Sequence, residues 1–143
     1  MPAPQMTLLQ WTERLELGDP AMDDTHREFV DLLNRLAESD DAAFVARLDR
    51  LLEHTVAHFA QEERWMADSG LGTPCHAAEH QQVIDVCRAV RERVVGGDLA
   101  LGRRLAAELA PWFENHAATK DTILVGHMQR AGYAAQRDPV FEA

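Results

Sequence analysis

No stretch of this chain runs apolar for long. Its uncharged segments fall far short of the ~20 residues that cross a bilayer, so no membrane-spanning helix is expected. Basic charge is also scarce. Fourteen Lys and Arg stand against twenty-four Asp and Glu, a net charge of -10, and such a surface repels phosphate backbones and anionic lipid. Neither nucleic acid nor a membrane is therefore expected as a partner. Eight glycines and six prolines are too few and too scattered for a low-complexity chain. Residues 1–10 have neither a basic nor an apolar region of the kind a secretory signal needs. The only two cysteines, Cys75 and Cys87, sit on one expected helix. A rise of ~1.5 Å per residue would hold them about 18 Å apart, beyond disulfide reach. Reduced thiols and a cytoplasmic location follow as expectations. No strand-like alternation and no internal repeat is present.

What remains is the composition of one globular domain: 143 residues, 46% hydrophobic and 27% charged. A chain of this length can bury roughly two-thirds of its unfolded surface and needs no metal or disulfide merely to fold. The acidic surface favours a monomer.

Apolar periodicity divides the chain into four helices. A non-helical leader is expected over 1–22, a bundle over about 23–130 and a loose tail over about 131–143. The pair Asp23 and Asp24 suits a helix start. From there to about Glu38, His26, Phe29, Leu33 and Leu36 share one face. Ser39, Asp40 and Asp41 form a turn and a new cap. The second helix is expected over 42–69, with Leu48, Leu51, Leu52, Thr55, His58, Phe59, Glu62, Trp65 and Met66 in its stripe and Gly70 and Gly72 at its end. Thr73 and Pro74 read as N-cap and first helical residue. The third helix carries His76, His80, Val83, Cys87, Val90 and Val94 on one seam, and Gly96 and Gly97 close it. Asp98 caps a fourth helix over 99–129, which Pro111 should kink. Four amphipathic helices with short turns predict an all-α fold, an antiparallel up-down-up-down four-helix bundle.

Against that pattern the seven histidines stand out. His26, His58, His76, His80 and His116 fall on inward faces, as do Glu62 and Asp121. Pairs four apart, His58 with Glu62 and His76 with His80, each project two donors one way. Burying so many polar groups unpartnered costs several kcal/mol each, so a shared cation is the economical explanation. His116 and Asp121 are five apart, which leaves them about 140° out of register on a regular helix. Either Asp121 leans to a second ion, or a one-residue π-bulge lies between them.

Imidazole with carboxylate suits iron, copper, zinc or nickel better than magnesium or calcium. Seven donors are too many for one tetrahedral ion. Two six-coordinate irons, bridged by both carboxylates and a solvent-derived group, accommodate all seven and leave one position open. With Trp112, Phe113, Leu36 and Ile123 expected around it, that position favours a small apolar ligand such as dioxygen. No histidine has a glutamate three residues before it, which excludes the ferritin-like donor pattern. A histidine-rich site is also less electron-donating than a carboxylate-rich one, which favours reversible binding over oxidative catalysis.

The order His26, His58-x-x-x-Glu62, His76-x-x-x-His80, His116-x-x-x-x-Asp121 resembles the ligand signature of the hemerythrin family, in particular its single-domain bacterial members. Trp11, Asp23, Phe59, Glu63 and Trp112 agree, and the resemblance spans about 11–124. It implies two irons per chain with an oxo or hydroxo bridge. His76, His80 and His116 would hold the filled iron, His26 and His58 the iron where oxygen binds, and Glu62 and Asp121 would bridge them. Phe113 stands at the wall of the oxygen pocket. Thr25 replaces the glutamine common before the first histidine, and Pro111 is unusual so near a ligand.

The implied function is reversible dioxygen binding for storage, transport or delivery to an oxygen-consuming enzyme, with no catalysis of its own. The alternatives are an oxygen or redox sensor, a di-iron reductase of peroxide or nitric oxide, and a zinc-stabilised bundle. His54 and His127 match no ligand position and are expected to be solvated. Cys75 faces away from His76, Glu63 faces outward, and Arg88, Arg91 and Arg93 pair with acidic faces.

Overall fold

A computed structural model describes residues 7–72 and 74–142. Its helices are α1 (Pro20–Glu38), α2 (Phe44–Ser69), α3 (Pro74–Val95), α4 (Leu99–His116) and α5 (Thr122–Ala131). Among the described residues there is no strand. A π-helical turn, Ala117–Asp121, joins α4 to α5 without a break, so the two form the fourth rod. α1 packs on α2, α2 on α3, α3 on α4, and α1 closes the ring against α4. This is the expected all-α bundle. No helix among the described residues is long and apolar enough to cross a membrane.

Local chemistry places most boundaries. Asp98 caps α4 through Leu101 N at 3.2 Å, and Gly70 ends α2 at φ 78°, where glycine is unstrained. Asp40 accepts from Ala43 N at 2.9 Å in the turn before α2. Thr73 lies outside the described residues, so the cap expected there has no structural account.

The start of α1 differs from expectation. The helix begins at Pro20, not at Asp23, because Asp19 supplies the cap through Met22 N at 3.1 Å and proline suits the first helical position. Asp23 is instead buried. Its two carboxylate oxygens accept from Leu17 N at 2.8 Å and Gly18 N at 3.2 Å, stapling the leader to α1. Asn34 holds the leader further up, accepting from Leu8 N and Leu9 N and donating to Leu9 O.

The tail is not loose either. Trp65 Nε1 and Arg64 donate to Gln136 O at 3.0 and 2.9 Å, and Asp138 N donates to the buried Gln61 side chain at 2.7 Å. Arg64 pairs with Asp138, Arg137 with Glu28. The fourth rod also stays α-helical through Pro111, whose ring is exposed. Its departure from α geometry falls six residues later, in the π turn.

The apolar core is two separate clusters. The larger contains Phe29, Leu33, Leu36, Phe44, Leu48, Leu51, Leu105 and Phe113. The smaller contains Met22, Trp65, Met66, Leu124 and Met128. On each of three rods the boundary between them falls at the polar donors: His26 follows Met22, His58 and Glu62 precede Trp65, and His116 and Asp121 precede Leu124. A polar slab thus crosses the bundle and contributes nothing by hydrophobic burial.

Close packing at the far end rests on Gly102. A Cβ there would lie 2.5 Å from the buried Phe44 ring and 2.7 Å from Val94. Alanine would ordinarily strengthen a helix by about 1 kcal/mol. Here overpacking should prevail, and Gly102→Ala is expected to lower unfolding stability by about 1–3 kcal/mol in urea titrations.

Candidate metal centre

All seven expected donors are buried: His26, Glu62, His80 and Asp121 fully, and His58, His76 and His116 to within one percent. Within this cluster, Glu62, His76, His80, His116 and Asp121 form one group with atoms close enough to share an ion. His26, His58 and Glu62 form another.

The carboxylates organise the arrangement. Glu62 Oε1 lies 3.1 Å from His76 Nε2 and 3.3 Å from His80 Nε2. Its Oε2 lies 2.6 Å from His58 Nε2 and 3.5 Å from His26 Nε2. Asp121 repeats the division: Oδ1 faces His76 at 3.1 Å and His116 at 3.3 Å, while Oδ2 faces His26 at 3.2 Å. Each carboxylate turns one oxygen toward a three-histidine side and the other toward a two-histidine side. Asp121 reaches this position through the π turn, in which Thr122 N bonds back to Ala117 O, five residues earlier. Of the two solutions to the His116–Asp121 spacing, the π-bulge is the one present, and it brings Asp121 Oδ1 to the same side as His116.

These residues fit a pair of cations. Both oxygens of Asp121 and both ring nitrogens of His26 are buried with no well-formed hydrogen bond among the described residues, a costly state for polar atoms unless an ion satisfies them. Two buried carboxylates also need positive charge nearby. In the bare cluster, protons supply it. Burial opposes a charge on His26 and His76, but the close carboxylates of Asp121 and Glu62 prevail and lift both to about 9. His116 is raised against burial for the same reason. Burial pushes Glu62 up, yet the surrounding imidazoles, His58 foremost, hold it well below the usual carboxylate range. Asp121 is lowered as well, despite burial and the Glu62 charge.

Groups raised from 6.5 to about 9 add stability that is complete below pH 6.5 and is lost as pH rises through 9. The metal-free chain should therefore melt at progressively lower temperature between pH 6.5 and 9. The loaded chain should not, since bound cations replace those protons. Circular-dichroism melts of the two forms across this range check it.

Aromatic rings flank both halves. On the three-histidine side Phe59 stacks on His80 at 3.9 Å and Trp112 on His116 at 4.7 Å. On the other side Phe113 meets His26 edge-on at 4.9 Å and Phe29 meets His58 at 6.1 Å. Phe113 thus stands beside the two-histidine half. Trp112 flanks the opposite half. Leu36 is buried in the larger core cluster, ten residues and about 15 Å along α1 from His26. Ile123 is 55% exposed, so it lies at the surface rather than against the donors. The π turn adds a residue, which rotates Leu124 rather than Ile123 inward.

Phe29 was readable only as core, since nothing in its helical phase separates lining from packing. His54 is not solvated: it packs against His58 and Phe141, and its Nε2 lies 3.0 Å from Glu28. Burial and the neighbouring His58 lower it to about 4. His127 is likewise tied down, donating to Ser69 O at 2.9 Å. Cys75 is exposed, Cys87 buried, and both are free thiols. Arg91 pairs with Asp49 and Arg93 with Asp98.

The family model for the hemerythrin HHE cation binding domain matches residues 17–127. The chain belongs to the hemerythrin family. It is 41% identical to a bacteriohemerythrin of Ralstonia nicotianae over 93% of this chain and 98% of that one. It is 27% identical to one from Methylococcus capsulatus, over 82% and 95% of the two chains, and 29% identical to one from Pseudomonas aeruginosa, over 81% and 78%. Hemerythrins are di-iron proteins, and the divided carboxylate geometry suits two ions rather than one.

Proposed function

We propose that this hemerythrin binds dioxygen reversibly, as a store, carrier or donor to an oxygen-consuming enzyme, and is not itself an enzyme. One observation carries the reading. The two halves share the same carboxylates but have unequal numbers of imidazoles, three against two, so one ion is left a ligand short. His76, His80 and His116 would fill the first half with Glu62 Oε1 and Asp121 Oδ1. His26 and His58 would hold the second with Glu62 Oε2 and Asp121 Oδ2. When bound, the iron pair supplies electrons and an open coordination position for dioxygen. The protein's part is to fix the donors and to exclude water. Phe113 and Phe29, stacked on each other at 4.6 Å, place an apolar wall beside the incomplete half, which suits an uncharged diatomic better than an anion. The free thiols support a cytoplasmic setting.

The test is gas exchange on the iron-loaded, reduced chain. One dioxygen per iron pair should be taken up, released intact under vacuum and taken up again over several cycles. Continuous consumption of oxygen or peroxide would overturn the reading in favour of a reductase. One zinc and no iron per chain isolated from its host would remove the oxygen function altogether.

A further inference from the structure

The outward nitrogens of the ligand imidazoles are treated differently on the two sides of the centre. His116 Nδ1 lies 3.1 Å from Glu79 Oε1, and His80 Nδ1 lies 3.5 Å from Glu63 Oε2. In contrast His26 Nδ1 and His58 Nδ1 are buried with no hydrogen-bond partner among the described residues. Since Nε2 of each ring turns inward, a neutral imidazole that ligates through it carries its proton on Nδ1. That proton has a carboxylate acceptor at His80 and His116 on the three-histidine side and none at either histidine of the two-histidine side.

We infer that Glu79 and Glu63 are positioning residues that make the three-histidine half the tighter and lower-potential half of the pair. The inference rests on the two-iron reading above. An Nδ1–H held by a carboxylate fixes the ring's tautomer and tilt, and it pushes electron density toward Nε2, which binds a cation more strongly and favours its higher charge. On the other side the ring proton is buried without an acceptor, so Nε2 is the weaker donor. The same asymmetry that leaves the second half a ligand short thus also makes its remaining ligands poorer. An ion there is held less firmly and stays ferrous to higher potential, which suits an oxygen-binding position that must return to the reduced state.

The two carboxylates have unequal shares. Glu79 is the closer to its histidine and 26% exposed, and its other oxygen lies 4.0 Å from Lys120 Nζ. That ammonium, from the π turn, steadies the carboxylate while drawing off part of its charge. Glu63 is 44% exposed and its contact is longer, so solvent screens it more. Glu63 was expected to face outward. It does lie at the surface, but it reaches back to His80.

The test uses the metal-stripped full chain, cobalt(II) and a competing chelator. The unaltered chain should take two ions in two steps of different affinity. Glu79→Gln is expected to weaken the tighter step about tenfold, the lower end of the range for such partners, and to leave the weaker step unchanged. Glu63→Gln should act in the same direction with a smaller effect. With iron bound, the first oxidation of the reduced pair should shift to higher potential in Glu79→Gln, by about 59 mV for each tenfold that ferric binding is weakened beyond ferrous. A control change elsewhere on the bundle, Glu108→Gln on α4, whose carboxylate pairs with Arg104, should move neither quantity. If the unaltered chain takes fewer than two ions, the two-metal reading itself fails. If it takes two in indistinguishable steps, or if Glu79→Gln weakens both steps equally or neither, this inference alone is overturned.

Discussion

Glu62→Ala is expected to strip both ions from the chain. Every other donor except Asp121 serves one half of the centre, but the two oxygens of Glu62 face four imidazoles: His76 and His80 from one oxygen, His58 and His26 from the other. The substitution removes a ligand atom from each half at once. It also removes half of the buried negative charge that offsets two divalent cations. Outer partners alone are worth 10- to 100-fold in affinity, so loss of a shared ligand should weaken both halves by more than about 100-fold. Iron content by metal analysis should fall from two per chain to near zero. Retention of two irons would mean that Glu62 lies beside the ions without bridging them. Glu62→Gln distinguishes charge from geometry: it keeps the shape and one acceptor oxygen, so it should retain more metal than the alanine variant and less than the unaltered chain.

The sequence made the donors of this centre readable and left their surroundings obscure, for physical reasons. A ligand that lies on the apolar face of a helix betrays itself by phase, because position along the helix fixes direction. His26, His58, Glu62, His76, His80 and His116 all announce themselves this way, and all are buried. Asp121 is the exception. Its five-residue spacing from His116 breaks the phase, and only the π turn restores it. The same extra residue misleads any phase argument beyond it, so Ile123, expected inside, lies at the surface. Contacts between distant segments leave no periodic trace. The docking of Gln136 and Asp138 onto Trp65 and Gln61 depends on side chains more than seventy residues away. The pairing of His54 with Glu28 likewise crosses from α2 to α1. The role of Asp23 was hidden by a competing rule. An acidic residue near a helix start reads as a cap, yet Asp19 does that work and Asp23 ties down the leader.

His58→Ala separates the two halves, and oxygen uptake by the reduced, iron-loaded variant should vanish. His58 belongs to the two-histidine side alone. Without it that side keeps His26 and the two shared carboxylate oxygens, too few donors to hold a divalent ion against water. The other side keeps all five of its donors, so the variant should retain one firmly held ion per chain. The fold should survive. The two apolar clusters lie on either side of the donor slab, and hydrophobic burial rather than coordination supplies most of the core's stability. Far-ultraviolet dichroism of the variant should accordingly keep its helical signal while gas exchange is lost. Normal oxygen uptake would show that the open position lies on the three-histidine side. Loss of the helical signal together with the metal would show instead that the slab is held together by its ions and that neither cluster suffices alone. Because His54 stands beside His58 at 5.8 Å between ring centres, His54→Gln is the companion change. It leaves all seven donors in place, so it should preserve both the iron content and the capacity for oxygen, and thereby confine the effect of His58→Ala to the lost ligand.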